Sequence, residues 1–357
     1  MPIFVGLGYM ALHYAILLLV QLIALFHFTD KATEQLGSGA SKEEIAELAE
    51  TLFYGRANLI SIITQFTTIL IVVAIFFIIR ALKREEKPSF TTYFSLKKVP
   101  FPQLRASFFL AIFLYFAVIG LVTVIGLVFP KLLESYNESM TNSSQDPSWI
   151  LNFITLVIGA PLVEELIYRN MAITNLSKKL SPIVAVLISS AIFGIAHGNP
   201  VQIVYAACVG IVFGVIFIRT ESILPSLLGH AVFNGIGFAV SVIVAYFPED
   251  DPVFMAYSVA AVLMIPLSLI GGPLALARLI RMTRKGSLFN GNPMFFTVNT
   301  GETPYNGSQT SNYNASQGTN PQMQGWYFDP RYGWCRQAPD NKTDSSDTPP
   351  SGDPFNG

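Results

Sequence analysis

The feature that most constrains this chain is a series of apolar stretches, each about 20 residues long, enough to cross a hydrocarbon core of roughly 30 Å as a helix. Inside hydrocarbon every backbone N–H and C=O must be bonded within the protein, so these stretches read as helices and the chain as an all-α polytopic membrane protein. About eight transmembrane helices are expected, near 3–28, 58–80, 105–129, 149–169, 182–197, 201–218, 223–247 and 253–277. Composition agrees, since 52% of residues are hydrophobic and only 13% are charged, against about 25% charged in soluble domains. The first stretch has neither a basic leader nor a small-residue cleavage site, so it reads as a retained membrane helix. Cys208 falls in an apolar helix and Cys335 in a polar tail, which argues against a disulfide framework. Nothing points to nucleic acid.

Loop charge predicts orientation, because Lys and Arg accumulate on the cytoplasmic side. Arg80, Lys83, Arg84, Lys87, Lys97, Lys98 and Arg105 lie between the second and third stretches. Lys178, Lys179, Arg219, Arg278, Arg281, Arg284 and Lys285 fall on the same side, whereas Asp30–Arg56, Lys131–Pro147 and Pro248–Pro252 fall opposite. Both termini are then cytoplasmic, and the pattern suits a prokaryotic plasma membrane. In the first outer loop, Ser41 and Glu44 have capping-box spacing ahead of Ile45, Leu48, Ala49 and Leu52, so a short amphipathic helix is expected there, either on the membrane surface or as an extension of the second span. A transmembrane domain covers 1–285. Residues 286–357, rich in Gly, Asn, Ser, Pro and Gln, read as a disordered polar cytoplasmic tail. Its exception is the aromatic island Gly325–Cys335, a candidate docking peptide.

Chemistry concentrates in polar groups that the apolar stretches carry. The fourth ends in Glu164, Glu165 and Arg169. An ionisable group in hydrocarbon is costly, from roughly 2.5 kcal/mol upward, and usually marks function. Glu165 and Arg169 are spaced to pair on one helix face. Glu164 points about 100° away without a partner on its own helix, so it is free to act as a proton acceptor. The fifth stretch ends in Phe193 and His197, before Gly198 and Pro200 break the helix. If stretches four and five turn near Leu180, Glu164 and His197 both lie roughly 25 Å from the turn and stand level. The seventh stretch carries His230 and Asn234 on one face. A polar cavity between spans four, five and seven is expected. His13 and His27 have no such pattern and read as structural.

Glu164-Glu165-x-x-x-Arg169, Phe193-x-x-x-His197 and His230-x-x-x-Asn234, in that order and spacing, resemble the CPBP family of intramembrane proteases, also called the Abi family, which includes CAAX proteases and bacteriocin-processing proteins. The resemblance covers about 149–247, spans four to seven. The family often has Gly after the arginine; here Asn170 stands there. The resemblance implies an endopeptidase acting on a membrane-associated protein or peptide. Glu164, helped by His197, would activate water; His230 and Asn234 would stabilise the oxyanion; Glu165 and Arg169 would support Glu164. The set Glu164, His197 and His230 would also suit zinc with an open fourth position. The metal-free reading is preferred, since Asn234 is a poor zinc ligand and a good donor. Other relatives suggest a non-catalytic scaffold, regulator or bacteriocin-immunity protein, but every motif residue is present here.

Overall fold

The computed structural model describes residues 2–37, 39–82, 89–143, 148–283, 326–329 and 333–336. Its helices are, in chain order, α1 (Pro2–Leu36), α2 (Lys42–Tyr54), α3 (Ala57–Leu82), α4 (Phe90–Tyr93), α5 (Phe101–Val128), α6 (Pro130–Ser143), α7 (Trp149–Leu176), α8 (Pro182–Ile195), α9 (Pro200–Thr220), α10 (Ile223–Tyr246) and α11 (Pro252–Met282). Seven of these are long and apolar enough to cross a membrane. The chain is an all-α polytopic membrane protein. The fifth expected span differs: α8 has 14 residues, about 21 Å of helix against a core of roughly 30 Å. It ends before His197 because Gly198, at φ +73°, takes a left-handed turn and Pro200 starts the next helix.

The second half of α7 is the centre of the packing. All nine residues from Glu165 to Ile173 are buried. Tyr9 and Met10 of α1, Val72 and Phe76 of α3, Phe193 of α8 and Ala206 of α9 close around Leu166, Ile167, Tyr168 and Met171. A second cluster joins α5 to α9 and α11 through Leu110, Phe213, Ile216 and Leu279. Lipid tails are as apolar as leucine, so close packing and inter-helix hydrogen bonds, rather than water exclusion, hold such helices together. Gly194 of α8 shows this, since a Cβ there would stand 2.5 Å from the Ile203 carbonyl of α9.

The helix α2 is not an extension of the second span. Ser41 Oγ accepts from Glu44 N at 3.2 Å and Glu44 Oε2 accepts from Ser41 N at 2.8 Å, the expected capping box. Gly55 then ends α2 before α3 begins. The helix instead packs on the far end of α1, where Phe53 meets Phe28 edge-on.

A second unit, Pro304–Gly357, is separate. Within it Trp326–Asp329 and Gly333–Arg336 form an antiparallel pair of strands, with Trp326 opposite Arg336 and Phe328 opposite Trp334. The aromatic island, the exception to the expected disorder, has strand structure in its described residues. The rest of the expected disordered tail lies outside the described residues.

Candidate active site

The helix α7 carries the site, and it is not a regular α-helix. It contains two π-helical segments, Ile154–Gly159 and Glu165–Ile173. Such wide turns are rare and gather at functional positions. The first one explains Asn234. Ala160 N donates to Thr155 O, five residues back. Continuing that spacing, the next donor would be residue 161 to Leu156 O, but Pro161 has no N–H. Leu156 O is instead capped by Asn234 Nδ2 of α10 at 2.9 Å. Gln65 of α3 likewise donates to Thr155 O at 3.3 Å. It fits only because Gly159 has no side chain: a Cβ there would stand 1.9 Å from Gln65 Oε1. In the second wide segment, Ser189 of α8 donates to Tyr168 O at 2.7 Å. Polar side chains on three neighbouring helices thus bond the backbone of α7 where its own pattern is disturbed.

The second π segment holds Glu165 and Arg169. Arg169 Nη1 lies 3.2 Å from Glu165 Oε1, with the side chains 1% and 0% exposed. The guanidinium sits over Phe193 of α8 at 4.6 Å and near Phe213 of α9 at 5.9 Å. Its charge is held by one carboxylate and two ring faces.

His230 of α10 joins the two glutamates. Its Nδ1 lies 2.9 Å from Glu165 Oε1 and its Nε2 lies 3.4 Å from Glu164 Oε2. Glu165, paired to Arg169, is a carboxylate and can only accept, so Nδ1 carries a hydrogen. Nε2 then faces Glu164, and that contact is attractive only with a proton between the two. The ring is 29° from parallel to Phe213, which stacks on it at 5.2 Å. Glu164 keeps 22% side-chain exposure where Glu165 has none. Of the two acids, Glu164 is therefore the one that a substrate or water can reach.

His197 is anchored within its own segment. It lies in the turn after α8, and its Nδ1 is bonded to Phe193 O at 2.8 Å, capping a carbonyl that the helix end leaves free. The Phe193 ring is edge-on to His197 at 4.9 Å and to His230 at 6.0 Å, so one aromatic ring separates the two imidazoles. The alternative metal set, Glu164, His197 and His230, does not converge: among the described residues no group of three His, Cys, Asp or Glu side chains is arranged to hold an ion.

Several participants lie outside the sequence motifs. Asn170 accepts from Ser95 Oγ at 2.6 Å and donates to Tyr93 O at 3.0 Å, pinning the segment after α4 onto α7. That segment also accepts Ile223 N at Ser95 O, and Ser222 Oγ at Lys97 O, at the start of α10. Tyr14 of α1 bonds the Tyr168 hydroxyl, and His13 Nδ1 lies 3.3 Å from Thr68 Oγ1 of α3. His13, Tyr14 and Tyr168 all lie in the field of the Glu164 carboxylate. His13 is thus beside the site, and its partners come from spans that share no repeating pattern with the motifs.

Seven apolar spans define a polytopic membrane protein, and a carboxylate–imidazole–carboxylate arrangement joins two of them, α7 and α10. Residues 146–236 match the family model described as type II CAAX prenyl endopeptidase Rce1-like, which spans every motif residue above. Over 110 residues the chain is 29% identical to YdiL of Bacillus subtilis (strain 168), provisionally named a membrane peptidase, a match covering 29% of this chain and 45% of that protein. The chain thus matches about half the length of that curated relative. No solved structure matches. The motif-bearing segment is thus similar to the CAAX-protease family.

Proposed function

We propose that the protein is an intramembrane endopeptidase that hydrolyses a peptide bond of a membrane-associated protein or peptide. The observation that carries this reading is the reachable carboxylate of Glu164 held against His230, whose other nitrogen is fixed by a buried ion pair. Amide hydrolysis needs a base for water, a proton for the leaving amine and donors for the oxyanion. Glu164 takes the proton from water and attack forms the tetrahedral intermediate. His230, which carries the proton between the two groups on Nε2, gives it to the departing nitrogen as the C–N bond breaks and is restored by the proton that Glu164 took from water. Asn234 retains one amide hydrogen beyond the one given to Leu156 O, and that hydrogen is available to the oxyanion. His197, one ring from His230, is a further acid–base group at the edge of the site. Glu165, Arg169 and Phe193 hold His230 and α7 in place. The reaction so written needs no metal.

The loop charges support a prokaryotic plasma membrane location with both termini cytoplasmic, provided that the short α8 serves as the eighth crossing. Glu164, about 15 residues from Trp149, is then roughly 22 Å deep from the outer face, so the site opens to the cytoplasm. The strand pair in the tail is a docking element for a partner, dispensable for catalysis itself.

The test compares new protein N-termini in membranes carrying the wild type and Glu164→Gln. Peptides released only by the wild type, by purified protein with less than stoichiometric zinc, are expected. Identical N-termini in both would refute the reading.

A further inference from the structure

Two phenolic hydroxyls meet where Tyr14 of α1 bonds Tyr168 of α7. Each carries one hydrogen. Whichever residue donates, one hydrogen is spent between them and one remains. A buried donor without an acceptor is unfavourable, so the remaining hydrogen needs a partner. Among the described residues neither hydroxyl has a second one. Tyr168 is 2% exposed, whereas Tyr14 is only half-buried, so the pair opens outward through Tyr14.

The acceptor that the surroundings offer is Glu164. Tyr168 follows it by one helical turn and shares its side of α7. Both tyrosines feel its charge without being hydrogen-bonded to it. The carboxylate meets His230 through Oε2, and its Oε1 makes no bond among the described residues. Its other neighbours are Glu165 and Arg169 along α7 and His13 on α1; α3 carries only Arg80, in its last turn. An unspent donor and an unspent acceptor therefore lie one helical turn apart on α7.

We propose that Tyr14 is a positioning residue: its pair with Tyr168 gives the spare hydrogen to a water that in turn donates to Oε1 of Glu164. The phenol fixes one lone pair of that water and Glu164 fixes one of its hydrogens, which leaves the second lone pair aimed away from both. The first span, which lies outside the segment matched by the family, thereby becomes part of the site.

The experiment uses the full chain in lipid nanodiscs. The infrared carboxyl band that disappears in Glu164→Gln is assigned to Glu164. Tyr14→Phe keeps the ring and removes the hydroxyl, so that band should shift to higher frequency. Tyr168→Phe should shift it in the same direction and serves if the first variant does not fold. Tyr9→Phe breaks a hydroxyl pair with Tyr93 elsewhere on α1 and should leave it in place. The kinetic arm rests on the proposed function: on a peptide cleaved by the wild type and not by Glu164→Gln, Tyr14→Phe should lower kcat about tenfold or more with KM within about twofold, as loss of orientation does. An unmoved band in both phenylalanine variants overturns the proposal whether or not the protein cleaves peptides. A shifted band in a protein with no peptidase activity upholds the tyrosine–carboxylate link and removes the proposed function instead.

Discussion

Glu165 Oε1 lies 2.9 Å from His230 Nδ1, across 65 residues of sequence, and the same oxygen is 3.2 Å from Arg169 Nη1. One buried carboxylate oxygen thus fixes both the tautomer of the imidazole and the place of the cation. The adjacent Glu164 takes the other imidazole nitrogen. The two neighbouring acids consequently have different tasks: Glu165 is fully enclosed and spent on structure, and Glu164 remains reachable.

Glu164→Gln should abolish cleavage while leaving the thermal midpoint within a few degrees of the wild type, since the amide is nearly isosteric and Glu164 is not part of the Arg169 pair. Peptide release and a thermal melt in detergent check this together. Retained cleavage would remove Glu164 from the reaction.

Arg169→Ala should act first on stability. It leaves Glu165 charged and fully buried, and breaking one side of a buried pair costs roughly 3–5 kcal/mol. It also empties the space between Phe193 and Phe213. A large fall in thermal midpoint is expected alongside lost activity. Normal stability with reduced turnover would mean that Arg169 contacts substrate.

Asn234 can be separated into its two roles by a double-mutant cycle with Pro161. Asn234→Leu leaves Leu156 O without its donor and should destabilise the fold by about 0.6 kcal/mol, the average for such membrane hydrogen bonds. Pro161→Ala restores an N–H that can reach that carbonyl. In the Pro161→Ala background the stability loss should vanish, while any loss in kcat persists if the second amide hydrogen serves the oxyanion. Additive stability effects would contradict the π-register account.

Orientation is checked with single cysteines in a background lacking Cys208 and Cys335. Lys179 and Asp250 are exposed at opposite expected sides. Lys179→Cys should react only with reagents that enter the cytoplasm, and Asp250→Cys with impermeant reagents added outside. The reverse pattern would turn the site to face outward.

The capping box of α2 carries a pH signature. The Ser41 backbone N–H bond holds the Glu44 carboxyl below its ordinary range. A depressed folded-state value contributes stability above the unfolded value and loses it as pH falls through the folded one. Amide exchange at Ser41 should therefore quicken, beyond the intrinsic dependence, as pH drops through the carboxylate range. Glu44→Gln should abolish that dependence.

Much of this protein was legible in the chain itself. Apolar stretches about 20 residues long dictate membrane helices because backbone polar groups have no other partner in lipid. Glu164, Glu165, Arg169, Phe193, His197, His230 and Asn234 stood out because ionisable and amide groups are expensive in such stretches. The Glu165–Arg169 pair followed from spacing on a single helix. What one helix cannot encode is how another meets it. That His230 would bridge both glutamates, that His197 would turn back onto Phe193 O, and that Asn234 would serve the carbonyl abandoned by Pro161 depend on helix rotation and on two π turns that shift the face of α7. Tyr14 and Gln65 had no signal at all, and Asn170 showed only as a departure from the family pattern, because each finds its partner 75 or more residues away. Sequence sets the period of a helix and so the neighbours along it. Only the packed structure decides which faces touch, because that choice is made jointly by every helix in the bundle.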